Sequence, residues 1–466
     1  MSQKLSLQQR CQQMASVASQ VVLRGDALIA ACESDWRPDP VETITGELLP
    51  LCAGLRWIGK RGVKVLRDRH VGVFGRPLWM TGVRSTVQRV PFGEVLILGT
   101  WNYPLLLPGI QIAQALAAGN QVCFKPAVGT EAISKLLVDC FRDVGVDESR
   151  LRLLGSDVES ATAAIDSGVD LVVLTGSAAT GQKVLASVAP TLSASIMELS
   201  GCDAVLALPG CDTQLVARSL RFGLTFNGGA TCIGPRRLLV QPDDHRELLD
   251  AVTQELSDTG EVTVHPVARK NVADQVVAAL AAGAVDVLGS FDEDKLRNHG
   301  QMSPLILDGV NADAPIAQAD LFAPVLSVIR ADNADCMIRI VNDCPYRLAA
   351  SVFGDRSTAQ KIAADLNVGT VTINDLIAPT ADPRLPFGGR GKSGFGVTRG
   401  REGLLAMTTA RVVSTRRGRL MPHLDRRTPR DRDLLQGAMA VLHGGSLRTR
   451  LSGLNQLVRG VKTKTD

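Results

Sequence analysis

Apolar positions recur at helical spacing through residues 5–31 and again through 41–65, with Pro38 and Pro40 between them, so the first seventy residues predict helices. The period then changes. Residues 84–90 are short, β-branched and alternating, and the turn Pro91-Phe92-Gly93 leads into residues 94–99, a buried-strand run. An Ala-rich apolar stretch entered through Pro104 predicts a helix over residues 105–118, stopped by Gly119-Asn120. Residues 121–124 predict a second strand. Strand, helix and strand in this succession form a right-handed parallel crossover.

The alternation continues with helices at 131–144, 160–168 and 181–188 and strands at 151–154 and 170–174. This predicts a doubly wound dinucleotide-binding domain with its ligand at the carboxyl ends of the strands. The turn from Gly176 and Ser177 to Gly181 would offer backbone N–H groups and a helix N-terminus to a phosphate. Its spacing is not the full dinucleotide fingerprint, so a plain glycine turn fits it equally well. A second αβ region follows residue 210, with helices at 213–222, 244–256 and 268–282 and strands at 238–240, 325–329, 351–353 and 370–373. Residues 385–396, LPFGGRGKSGFG, hold five glycines in twelve positions, a loop whose backbone must turn tightly.

A chain of 466 residues exceeds one core and implies two to three domains. Only 4% of residues are aromatic, which argues against nucleic-acid binding by base stacking. No segment has the apolar length of a secretory signal or a membrane span. The ten cysteines lack CxxC spacing, so neither a metal site nor a disulfide framework is expected. These features predict an intracellular, cytoplasmic protein.

Among the cysteines, Cys232 stands out as a candidate nucleophile because it follows the Gly228-Gly229 pair in FNGGATCIGP. A buried inert thiol is the competing reading. Three further segments accompany it: PFGEVLILGTWNYPLLL, MELSG and LPFGGRGKSGFG. In this order, with 34 residues from Glu198 to Cys232 and 23 from Asn102 to Lys125, the chain over residues 5–415 resembles the aldehyde dehydrogenase superfamily, most closely its dimeric class 3 branch.

The resemblance implies a Rossmann-type cofactor domain, an α/β catalytic domain and a small strand element for oligomerisation. It places the first at 1–78 and 92–209, the catalytic domain at 210–403, and the oligomerisation strands at 79–91 and 404–415 of an expected homodimer. It also implies NAD(P)-dependent oxidation of an aldehyde, apolar or of medium to long chain. Cys232 would add to the carbonyl, Asn102 and the Cys232 N–H would hold the oxyanion, and Glu198 would activate the water that hydrolyses the thioester. Without the resemblance, Asn102 reads equally as a helix cap and Glu198 as a surface carboxylate. NAD or NADP would meet Lys125, Gly176, Ser177, Gly181, Thr100, Trp101, Asp320 and Phe322, and no metal is implied. The chain departs from the pattern in four places: Asp320 in place of Glu, Val128 in place of the Glu common in NAD users, Ser200 and Cys202 within Glu-Leu-Gly-Gly-Lys, and Ala230 in place of Gln. Two other functions therefore stay open, a reductase of activated acyl groups on the same fold and a catalytically silent paralogue acting as a structural partner.

Net charge is +4, but residues 414–466 hold twelve Lys or Arg against four Asp, or +8, which leaves the body at −4. In this basic tail, 416–466, Leu447, Leu451, Leu454, Val458 and Val461 form one helical stripe flanked by Arg448, Arg450 and Arg459. One reading is peripheral contact with the inner face of an anionic membrane. The other is an ordinary surface helix packed on the dimer.

Overall fold

The computed structural model describes residues 5–419 and 421–462. Leu420 and the ends 1–4 and 463–466, which fall within the expected first domain and the basic tail, lie outside the described residues. The larger of two compact units holds residues 1–68 and 88–411 and is built on two large sheets, with two small two-stranded ones beside them.

The first sheet has six strands, in the order Gly394–Phe395, Ala194–Leu199, Leu171–Gly176, Glu94–Leu98, Gln121–Lys125 and Leu151–Leu153. Five are parallel, and the short Gly394–Phe395 strand pairs antiparallel at one edge. Strand order reverses at Glu94–Leu98, whose neighbours on its two sides lie later in the chain by one and by three strands. Such a switch point leaves a crevice beyond the carboxyl ends. One face is covered by the helices Leu7–Leu23, Leu49–Leu66, Leu106–Ala118 and Glu131–Arg142, and the other by Val158–Asp166 and Ala178–Val188. Leu106–Ala118 is buried along its whole length, as its nearly continuous apolar sequence requires.

The second sheet has seven strands, in the order Val285–Asp286, Leu305–Asp308, Val325–Arg330, Pro235–Val240, Asp203–Ala207, Ala349–Phe353 and Thr370–Ile373, all parallel except the first. Asp203–Ala207 opens it, so the changeover between sheets falls at residues 200–202 and not at 209. Ala194–Leu199, which carries Glu198, and Asp203–Ala207 are strands that periodicity had not predicted. Ser195 and Glu198 interrupt the apolar run of the first.

The smaller unit comprises residues 69–87 and 412–466. It is built on a sheet in the order Arg69–Val71, Val83–Pro91 and Thr408–Arg416. Residues 69–78 thus leave the cofactor domain to which they had been assigned. Residues 404–406 end the helix Gly400–Ala406 and are not strand. The tail contains two helices, Pro429–His443 and Leu447–Lys462, where one was expected. Their seam is made of small residues: a Cβ on Gly437 would meet the Gly453 carbonyl oxygen at 2.8 Å.

Candidate active site

The loop carrying Cys232 is shaped by three successive residues in the left-handed region, Asn227 (φ 54°), Gly228 (φ 58°) and Gly229 (φ 72°). Glycine is required at the last, where a Cβ would lie 2.6 Å from the Pro324 nitrogen. Buried Arg236 fastens the loop by donating to the carbonyls of Gly229 (2.7 Å), Thr231 (3.1 Å) and Ala323 (2.8 Å). The Tyr103 hydroxyl bonds Thr231 Oγ1 at 2.8 Å. The FNGG motif therefore presents the thiol on a pinned turn, half-buried at the wall of a cleft of about 600 Å³. Burial first, and then the carboxylates of Glu198 and Asp203, push the Cys232 thiol up to about 12, while Arg399 opposes them.

Asn102 lies in the same cleft, buried, with its Nδ2 donating to the Ala230 carbonyl at 2.9 Å and its Oδ1 accepting from Thr100 Oγ1 at 2.7 Å. It does not cap the following helix. Glu47 does so from a distant segment, its Oε2 accepting from the N–H groups of Leu105 (2.7 Å) and Leu106 (2.8 Å). The other Glu47 oxygen pairs with Arg37, which also donates to the Asn102 carbonyl and, at 2.9 Å, to Asn227 Oδ1. This buried ion pair thus joins the Asn102 turn to the cysteine loop. Among the described residues, the second Asn102 amide hydrogen and the Cys232 N–H have no intramolecular acceptor.

Glu198 is 4% exposed, which excludes the surface reading. Its Oε2 is anchored by Thr398 Oγ1 (2.7 Å) and Gln111 Nε2 (3.3 Å), whereas Oε1 is buried with no partner among the described residues. Burial raises its pKa, against Arg399, Thr398 and Gln111, which lower it. That is the environment of a general base with one working oxygen. Thr398, Arg399, Gln111, Tyr103 and the Arg37–Glu47 pair were all missed by sequence reasoning. One signal was present: Gln111 and Gln114 are polar residues one turn apart in an otherwise apolar helix.

The cleft extends from Cys232, Asn102 and Glu198 to the strand ends at the switch point. Thr100, Trp101, Lys125, Gly176, Ser177, Asp320 and Phe322 all line it. Ser177 caps Ala178–Val188 by accepting from the Thr180 N–H at 3.2 Å, leaving that helix N-terminus at the cleft. These donors and Lys125 fit a dinucleotide. Gly181 does not line the cleft. It lies inside the helix, where a Cβ would meet the Leu199 side chain at 2.8 Å, so it allows helix and strand to pack closely. Val128 is exposed and off the cleft wall. Two departures from the family pattern meet directly, because the Ser200 hydroxyl donates to Asp320 Oδ2. Burial lifts Asp320 to about 6 despite that bond. His265, also unforeseen, stacks on Trp101 at 3.9 Å between centroids, and its imidazole is pushed down to about 4, chiefly by burial.

The aldehyde dehydrogenase family model matches residues 2–413. The chain belongs to the aldehyde dehydrogenase family. It is 28% identical over 425 residues to 4,4'-diapolycopene aldehyde oxidase of Methylomonas sp, covering 90% of this chain and 79% of that protein. It is also 28% identical over 319 residues to the dimeric NADP-preferring aldehyde dehydrogenase of Mus musculus, covering 67% and 69% of the two chains. Among solved structures, it matches the Mycobacterium tuberculosis aldehyde dehydrogenase complexed with NAD+, with a TM-score of 0.80, 27% identity, and coverage of 88% and 85%. The family match ends at residue 413, before the basic tail and its helical hairpin.

Proposed function

We propose that the chain oxidises an apolar aldehyde to the carboxylic acid through covalent addition at Cys232. The observation that carries this reading is the convergence, in one cleft, of the Cys232 thiol, the unengaged N–H groups of Asn102 and Cys232, and a buried Glu198 with one free oxygen. The Cys232 thiol loses its proton to solvent, the thiolate adds to the aldehyde carbon, and the two N–H groups receive the oxyanion, an interaction worth about 3–4 kcal/mol of barrier. Lys125, Ser177, Asp320 and Phe322 would hold NAD or NADP, which when bound would accept a hydride. Collapse of the oxyanion expels the hydride and leaves a thioester on Cys232. Glu198 then takes a proton from water through Oε1, and hydroxide addition releases the acid and the thiol.

The choice of an apolar substrate is supported by a relative named for a diapolycopene aldehyde. Retention of Glu198 favours hydrolysis over the acyl-reductase alternative. The deciding experiment follows reduced nicotinamide formation from aldehydes of increasing chain length with each coenzyme. Activity should be lost in Cys232→Ala while cofactor binding persists, and near-native turnover in that variant would sink the assignment.

A homodimer through the smaller unit's strands is supported by Thr408–Arg416, which is exposed along most of its length, and by fully exposed Phe74. Sedimentation should give twice the chain mass. Peripheral contact with an anionic membrane is supported by the hairpin. Leu435, Met439, Leu447 and Leu451 are exposed, and Leu447–Lys462 contains no acidic residue. Flotation with phosphatidylglycerol vesicles, and none with phosphatidylcholine, is the expected result.

A further inference from the structure

Arg399 is the unassigned charge nearest the chemistry. Its neighbour Thr398 donates to Glu198 Oε2 at 2.7 Å, and its own backbone N–H donates to Gln114 Oε1 at 3.3 Å, one helical turn from the Gln111 that also holds Glu198. Its backbone sits at φ 59°, a left-handed conformation costly for a side chain of this size and sustained by those contacts. The guanidinium stacks over the Phe387 ring at 4.3 Å, and its Nη1 donates to the Thr380 carbonyl at 2.9 Å. Its Nε is buried with no partner among the described residues. Among the described residues no carboxylate pairs with it directly, so its charge is directed at its surroundings. Phe387, on which it stacks, belongs to the apolar cluster against which Cys232 packs, and the adjacent Thr398 holds Glu198, so the guanidinium lies beside both reacting groups and favours the charged form of each.

We propose that Arg399 is the electrostatic counterweight of the catalytic pair, a positioning residue whose buried cation stabilises negative charge on Cys232 and Glu198. The need for one is visible in the charge inventory. Facing Cys232 are the carboxylates of Glu198, Asp203 and Asp320 and the neutral phenol of Tyr103, opposed by two cations, Arg399 and Arg236, the second of which is engaged by the carbonyls of Gly229, Thr231 and Ala323. Three carboxylates around a thiol that must become an anion disfavour catalysis unless a permanent positive charge offsets them. Arg suits the task because it stays protonated even when buried. Removing it raises the pH at which both groups ionise, since each loses a partner that favours its charged form.

The proposal deepens the assignment of Cys232 and Glu198, yet its first test needs no aldehyde turnover. Iodoacetamide alkylation of Cys232 is followed against pH in the full-length protein, for Arg399→Gln, Arg399→Met and Arg399→Lys. The two neutral variants should alkylate about threefold or more slowly at a given pH, with the ascending limb displaced to higher pH by about one unit, and the lysine variant should retain most of the native profile. The second readout is thioester hydrolysis after a pre-steady-state burst. In the neutral variants its pH limb should move upward, lowering kcat more than it changes the aldehyde KM. Folding is checked by thermal unfolding and cofactor titration. Unchanged profiles in folded neutral variants, or a lysine variant that behaves like glutamine, would show that Arg399 only pins the loop. If neither neutral variant folds, a displaced alkylation profile in Arg399→Lys overturns the proposal and a native one supports it. Loss of aldehyde oxidation with intact alkylation shifts would refute the enzymatic reading while leaving Arg399's role standing.

Discussion

A thiol pushed up to about 12 is a poor nucleophile at rest, and Glu198 is the leading electrostatic reason after burial. At pH 8 such a group is thiolate about once in ten thousand molecules, against about a quarter for an ordinary cysteine with pKa about 8.5. The rarer thiolate is intrinsically more reactive, and a Brønsted slope of about 0.4–0.5 returns roughly half of the lost decades. Cys232 should therefore alkylate about fifty- to a hundredfold more slowly than free cysteine. Replacing Glu198 with Gln removes a repelling carboxylate while keeping Thr398 and Gln111 within bonding reach. Each tenfold gain in thiolate then appears as about a three- to fourfold gain in alkylation rate.

The assay is mass-spectrometric alkylation of Cys232 in the apo protein, wild type and Glu198→Gln, across pH 7 to pH 10. The variant should be unable to hydrolyse the thioester, so it loses turnover while its thiol becomes more reactive. These opposite changes separate two roles for Glu198. Slower alkylation in Glu198→Gln would refute the reasoning, because it would make the carboxylate the base that deprotonates the thiol and not a charge that resists its ionisation.

Asp320, raised to about 6, should lose its charge as pH falls through that value, so the coenzyme KM should rise several-fold between pH 7 and pH 5 in the wild type and stay flat in Asp320→Asn. Substituting Glu47 by Gln leaves the buried Arg37 charge without its partner, and denaturant unfolding should show a loss of about 3–5 kcal/mol. Val128→Glu places a carboxylate three residues after Lys125, and the ratio of NADP to NAD kcat/KM should fall; an unchanged ratio would mean that Val128 does not face the adenosine ribose.

How far the sequence carried these conclusions depends on where each residue's surroundings come from. The crossover Glu94–Leu98, Leu106–Ala118, Gln121–Lys125 was legible because its signals are local: a buried apolar run, a proline at the helix entrance and a glycine at its end. The strand bearing Glu198 was illegible to periodicity for the reason that makes it useful. A carboxylate in the middle of a buried parallel strand contradicts the pattern that identifies such strands, and conflicts of this kind concentrate where function is built. Only the resemblance around MELSG pointed to it.

The partners of the catalytic groups were hidden for another reason. Glu47 is 58 residues from the Leu105 N–H it accepts from, and Thr398 is 200 from the carboxylate it anchors. No local pattern encodes such a bond. Their common effect is to relieve the catalytic side chains of structural duty. Glu47 satisfies the helix N-terminus that the Asn102 side-chain oxygen would otherwise cap, so the Asn102 amide can lie in the cleft, where one of its N–H groups stays unengaged. Thr398 and Gln111 fix Oε2 of Glu198, leaving Oε1 for water. Arg399 opposes the carboxylates that resist ionisation of Cys232. A residue such as Asn102 or Glu198 can be recognised by its type and spacing, but its availability for chemistry is conferred by distant residues that do the work its position would otherwise demand.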